Sequence, residues 1–491
     1  MEFAMTATKP TEPQSDRPGS DESHLSHFGY KQELSRALGK FSSFAVSFSG
    51  VGISAGIFIT LPVIWASSGT LGIWSWLPSS VGALLVGLIF ADLVGRLPIA
   101  GYAYQWSTRL SNKTIGWMTG VVGFMGFGIG SAGTIYGVTP YFLSILGIET
   151  TRNTNILGGI VLTAAVCTVL IVGTRVAAWV NNAAVFVEVL CGIVAAVVLL
   201  VVAVIRHPQP VSVLFQPAPG TEGQPYGYAF LLAFLLGAFL YAGWELPADM
   251  AEETKDAPNT AARTMLWSIG AVAVSGIAMV IAFSYASPGL AETLQSATPA
   301  LSVVEYQFGH TVAEIYNALL LVTFFAVALL ITAGATRLLF SMARDGLPPG
   351  AALFKKVNSR KTPAAATICV GLFAITMFTV PQLYSTNVQN TIFGTASVGY
   401  NLVYTLVAAI FLYKATKNEL PKSFGKFSLG KWAKPVALVA LVWQLFVVGT
   451  LTLPAANHQT AWTALLIIGL GALWYLVWIL PRSRRAEHQN G

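Results

Sequence analysis

Twelve long apolar runs dominate this chain of 491 residues: 41–66, 72–97, 114–146, 156–174, 176–205, 227–250, 264–287, 312–343, 364–381, 390–413, 433–454 and 461–480. Each can supply the about 20 apolar residues that a membrane-crossing helix needs. In hydrocarbon no water satisfies a backbone N–H or C=O, so a spanning segment must bond within itself, and runs of this length do so as helices. The expected fold class is an all-α polytopic membrane protein with twelve transmembrane helices. Only 10% of residues are charged, against about 25% in soluble domains.

The net charge of +7 does not point to nucleic acid, because the basic residues fall in short loops between apolar runs. One set of loops holds Arg96, Arg109, Lys113, Arg175, Arg344, the stretch 414–434, and Arg482, Arg484 and Arg485; the other holds Arg152 and Arg206. The positive-inside rule then places both termini in the cytoplasm and the chain in the cell membrane, with the lipid bilayer as its surroundings. Residues 1–30 read as a disordered tail, rich in Ser, Thr, Pro, Asp and Glu. No cleavable signal peptide is expected, Met5 is a second candidate start, and Lys31–Lys40 is a candidate interfacial helix. Cys167, Cys191 and Cys369 are isolated in apolar runs and all six histidines lie outside or at the ends of runs. No disulfide framework, metal site or cofactor is expected.

Two stretches interrupt the apolar pattern. Ser49-Gly50-Val51-Gly52-Ile53-Ser54-Ala55-Gly56 lies in span one, and Tyr241-Ala242-Gly243-Trp244-Glu245-Leu246-Pro247 in span six. Glycine favours helix poorly and proline removes a backbone hydrogen bond. Breaks at matching places in two halves point to a secondary transporter's binding site. Five spans precede the second break, so spans 1–5 and 6–10 start on opposite sides, the pattern of an inverted repeat. The expected organisation is a tail (1–30), a first repeat with the start of the second (31–250), the rest of the second repeat (251–415), spans 11 and 12 (416–480) and a C-terminal tail (481–491).

A break in span one frees N–H groups at Ile53, Ser54, Ala55 and Gly56, where the positive end of a half-helix attracts a carboxylate. The alternative is a glycine-lined helix crossing. The span-six break frees carbonyls near Ala238, Phe239 and Tyr241, which suit an ammonium group. Trp244 either narrows the pocket or packs. Glu188 lies mid-span five, where a charge costs about 2.5–3.5 kcal/mol on insertion scales. Burial disfavours the charged form of a carboxyl, so Glu188 can load and release a proton, bond to span one as a structural group, or meet a cationic substrate. Glu245 lines the inner pathway or pairs with a base. Glu252, Glu253 and Lys255, near the cytoplasmic end, are expected to form solvated or inner-gate ion pairs, the acids with Arg344 or Arg337, rather than a catalytic pair. Asp92 and Arg96 are four apart on one helix face and are expected to pair; Asp92 and Arg344 are grouped with the inner pathway. Tyr136 and Tyr400 are further candidates for the cavity, with core packing as the alternative.

These stretches resemble the amino acid–polyamine–organocation superfamily of transporters, and look closest to its amino acid/choline transporter branch, over about residues 35–415. Gly50–Phe58 is similar to the family's Gly-rich break. Pro98-Ile99-Ala100-Gly101-Tyr102-Ala103-Tyr104 resembles its first inner loop. Phe239–Glu245 with Ala251-Glu252-Glu253 is similar to the span-six break, and Met342-Ala343-Arg344-Asp345-Gly346-Leu347-Pro348 to the loop after span eight. The resemblance implies a five-plus-five inverted repeat, alternating access, and an aromatic gate at Phe239. Where sodium-independent relatives often carry a lysine in span five this chain has Glu188, which puts a lysine-based coupling scheme in doubt. The expected activity is secondary transport of a small amino acid or related amine, proton-coupled or exchanging. GABA, choline or a polyamine remain open as substrates. A non-transporting solute sensor is a second class. A channel would show a pore loop, and an enzyme a polar intramembrane cluster; neither pattern is present in the sequence.

Overall fold

The structure, a computed structural model, describes residues 25–207, 209–219, 226–382 and 388–482. The expected N-terminal tail up to residue 24, the question of Met5, and the segment beyond residue 482 with Arg484 and Arg485 lie outside the described residues; residues 25–30, expected to be part of the disordered tail, instead hold a helical turn with Leu25 buried and Tyr30 bonded to Asp345. Among those described, the molecule is helical, and its one isolated β-bridge joins Leu38 to Thr254.

Span one is two helices, α1 (Lys40–Val51) and α2 (Ile53–Ser68), followed by α3 (Trp76–Arg96). A short helix, α4 (Tyr102–Leu110), leads to span three, α5 (Lys113–Ile145), and span four, α6 (Arg152–Val172). Span five is α7 (Thr174–Val189), a π-helical turn (Leu190–Val194) and α8 (Ala195–Arg206). The sixth span is α9 (Tyr226–Leu240), then the short α10 (Leu246–Asp249). There follow α11 (Ala257–Ala286), α12 (Pro299–Phe308), α13 (His310–Arg344), α14 (Ala364–Gln382), α15 (Val388–Lys417), α16 (Ala433–Thr452) and α17 (His458–Trp474). Ten helices among the described residues are long and apolar enough to cross a membrane, counting α1 and α2 as one; Tyr226–Leu240 and Ala364–Val380 are apolar but shorter.

The helix of span six stops at Leu240, where the expected break begins, because Gly243 takes φ +91° and Pro247 has no N–H to continue a ladder, and the span resumes in α10 as far as Asp249. A further expectation differs from the structure. Residues 31–39 are extended and not an interfacial helix. Leu34 and Leu38 are buried there, Leu38 N–H donates to Glu253 O at 2.9 Å, and Lys255 N–H donates to Leu38 O at 2.9 Å. The pairing with the far side of span six outweighs local helix propensity.

Span one is the centre of the bundle: 94% of its most apolar window is buried, against 11% for the last span, which lies at the periphery. Small residues allow close helix approach where no hydrophobic effect drives association. Spans three and ten show it: a Cβ on Gly399 would lie 2.4 Å from Gly126 N.

Candidate functional site

Gly52 makes the first break. It adopts the left-handed conformation (φ 57°, ψ 62°) between α1 and α2, which a side chain resists. A Cβ there would also strike Val327 of α13 at 2.0 Å. Gly56 N–H, expected to be freed by the break, donates to Gly52 O at 2.7 Å, but the amides of Ile53, Ser54 and Ala55 have no helical carbonyl one turn back. One of them, Ser54 N–H, donates to Glu188 Oε1 at 2.7 Å. Glu188 is fully buried; its Oε2 has no hydrogen-bond partner, and neither has the Ser54 hydroxyl. Span five therefore reaches the anion-attracting end of span one through a carboxylate. Ile53, Ala55 and Gly56 are buried beside it, with Gly56 pressed on Leu240 of α9.

The second break is braced by side chains. Asn401 of α15 donates to Ala238 O at 3.2 Å, and the Trp244 indole to Tyr241 O at 3.0 Å. Ser47 of α1 donates to Trp244 O at 2.7 Å, so the two breaks are tied together. The carbonyls of Ala238 and Tyr241, expected to face an ammonium group, are occupied by protein donors in this conformation. Phe239 is half-buried and meets Phe393 edge-on with ring centroids 4.8 Å apart. Ala238, Tyr241 and Trp244 line a cavity of about 20 Å³ with Asn401, Tyr404 and Gln444. That is room for about one water. Ile53–Gly56 do not line it.

Glu245 accepts from Gly243 N–H at 2.9 Å and is buried, with Oε1 unpartnered among the described residues, and Arg337 and Arg344 pair with other acids. One turn on, Asp249 accepts from Gly101 N–H at 3.2 Å. The two acids beyond it pair as expected. Glu253 meets Arg337 at 2.8 Å and also accepts from Thr174 O–H at 2.7 Å; Glu252 meets Arg344 at 2.8 Å and accepts from Ala100 N–H at 3.2 Å. Both pairs are buried, joining spans five, six and eight and the loop before α4 at the basic end. Tyr30 completes this end: its ring lies under the Arg344 guanidinium at 4.2 Å, and its hydroxyl donates to Asp345 at 2.9 Å. Tyr104 donates to the same carboxylate. Asp92 pairs with Arg96, as the four-residue spacing predicts, and accepts from Leu429 N–H at 2.7 Å, anchoring the loop before α16. Tyr136 is half-buried, and Tyr400 packs edge-on against Phe127.

Sequence reasoning missed Ser47, Asn401 and Asp249. Asn401 carried a usable signal, a carboxamide within an apolar run, since polar groups at such depth are costly unless bonded or functional. Asn181 is a fourth: both its side-chain polar atoms are buried without a partner, two turns from Glu188 on span five.

Residues 38–474 match the amino acid permease family. The amino-acid permease BAT1 of Arabidopsis thaliana is 27% identical over 493 residues, covering 94% of each chain. Two solved structures share the fold at 13% identity. The manganese transporter of Eremococcus coleocola superposes with a TM-score of 0.54, over 91% of this chain and 95% of its own. The nucleobase-cation-symport-1 family transporter Mhp1, in a closed conformation with bromovinylhydantoin bound, gives 0.53 over 90% and 95%.

Proposed function

The chain belongs to the amino acid permease family and is a transporter rather than an enzyme, and on that premise we propose that it carries a small amino acid or related amine across the cell membrane by alternating access. Both termini face the cytoplasm in this reading, and spans 1–5 and 6–10 form inverted repeats with spans 11 and 12 outside them. The observation that supports it most is the meeting of two broken helices at the centre of the bundle, with the buried Ser54 amide bonded at one break to a carboxylate. A substrate carboxylate would use the α2 N-terminus, and its ammonium group the carbonyls of Ala238, Phe239 and Tyr241 once Asn401 and Trp244 release them. Phe239 gates the cavity from the α9 side. Glu188 is the proton-coupling group. The pairs Glu253–Arg337 and Glu252–Arg344 form the cytoplasmic gate, which is shut in this conformation. Glu245 and Asp249 line the route between gate and site.

Purified protein in liposomes tests the reading. A thermal-shift screen of amino acids, GABA, choline and polyamines identifies ligands, since binding to the folded state raises the melting temperature. Labelled hits should then show counterflow against unlabelled substrate and uptake driven by an inward proton gradient. Binding without flux would favour a solute sensor. Flux of choline or polyamine alone would move the substrate class to amines that lack a carboxylate.

A further inference from the structure

The donor that this transport reading assigns to a substrate carboxylate is already held. Ser54 N–H points at Glu188 Oε1, 2.7 Å away. The second carboxyl oxygen and the Ser54 hydroxyl are both buried and without partners. The titratable groups facing Glu188 are Cys191 on its own span and Tyr316 on α13, with the Thr323 hydroxyl of the same helix nearby. None is a cation. The Tyr316 hydroxyl is committed elsewhere, donating to Cys191 O at 2.6 Å. The amide end of α2 is therefore the principal stabiliser of negative charge on Glu188.

A second carboxylate arriving at the same N–H meets both competition for the donor and like-charge repulsion. We infer that Glu188 is a resident stand-in for the substrate's carboxylate: an incoming carboxylate displaces it from Ser54, and the displaced Glu188 takes up a proton. The inference rests on the transport reading and adds how substrate and proton are linked. The balance is simple. The substrate carboxylate gains the Ser54 N–H bond that Glu188 gives up, and the Glu188 carboxylate becomes a carboxylic acid with one proton from solvent. Release reverses both steps. An amine without a carboxylate leaves Glu188 on Ser54 and moves no proton.

Calorimetric titration of the purified full chain tests this, with GABA and each L-amino acid as probes and choline as the amine control. Runs in buffers of different ionisation heat count the protons taken up on binding. At about pH 8 the expected uptake approaches about one proton per carboxylate-bearing ligand, and it declines as the pH is lowered toward ~5, because a growing share of the unliganded protein already carries that proton. Choline should give none at either pH. Glu188→Gln should bind the same ligands with no uptake at any pH. Binding of a carboxylate-bearing probe to the wild type with no proton taken up across this range overturns the inference and leaves the transport reading standing. Proton uptake that persists in Glu188→Gln overturns it too, because the proton then goes elsewhere. If no amino acid and no GABA binds, the carboxylate-bearing substrate class falls and this inference with it, whereas binding of choline alone would keep a transport reading for amines.

Discussion

The carbonyl of Gly50 presses on the backbone of Gly243: a Cβ on Gly243 would lie 2.3 Å from Gly50 O, and one on Gly50 would lie 2.6 Å from Gly243 O. The two interruptions that stand out in the sequence are thus one contact in space. Any rearrangement at the centre must carry both segments together or part them at this point.

Gly243→Ala should therefore destabilise the protein and abolish transport. The left-handed φ of +91° alone costs an L-residue about 1–2 kcal/mol, and the clash is with backbone that cannot rotate away. Gly270→Ala is the control, since nothing lies within 4 Å of a Cβ there and alanine favours helix. A melting temperature for Gly243→Ala equal to that of the wild type would contradict the contact.

Arg337 and Glu253 form a buried pair, each nearly inaccessible. Removing one partner strands a buried charge, at a cost of about 3–5 kcal/mol. Arg337→Met and Glu253→Leu should each melt far below the wild type, and the double variant should recover most of the loss. If the double variant melts lower than both singles, Thr174 and the α10 region depend on the charges in some other way.

Asn401→Leu takes the donor from Ala238 O. A buried carbonyl left without a partner costs about 1–3 kcal/mol. The variant should lose that much stability, and its apparent affinity for substrate should rise if Asn401 competes with the ammonium group. Unchanged melting and unchanged affinity would remove Asn401 from the site.

Burial and the neighbouring Asp345 raise Tyr30 and Tyr104 above the ordinary phenol range. The sign follows from which state ionises first. Below about pH 10 both folded and unfolded phenols are protonated, and the contribution to stability is complete. Above it the unfolded chain releases these protons while the folded chain keeps them, so stability falls as pH rises. Melting temperature should drop more steeply above about pH 10 in the wild type than in Tyr30→Phe/Tyr104→Phe. Parallel pH curves would show that the two hydroxyls are not held.

Much of this was legible in the sequence because the signals are local. Apolar length fixes helices, glycine and proline mark where backbone departs from them, and the Asp92–Arg96 spacing brings that pair onto one face. Acids in the stretch after span six and the basic Arg337 and Arg344 implied ion pairs, although which acid takes which arginine depends on helix packing. Long-range partnerships were not legible residue by residue. A bond from Glu188 to span one was one of three open readings, but Ser54 lies 134 positions away and no local rule selects its amide. The same holds for Asn401, which caps a carbonyl that sequence reasoning left free for a ligand. The break in span six was legible because Gly243 and Pro247 are local signals, and the apolar pattern runs on past Leu240 because Trp244 and Leu246 are core residues on irregular backbone.

The cavity of about 20 Å³ beside Tyr241 and Trp244 has a practical consequence for inhibitor discovery. Computational docking into this cavity as it stands would reject every compound as large as an amino acid, whatever its affinity for a more open form. Useful leads would come from conformations trapped by antibodies or by cross-links that hold Arg337 away from Glu253.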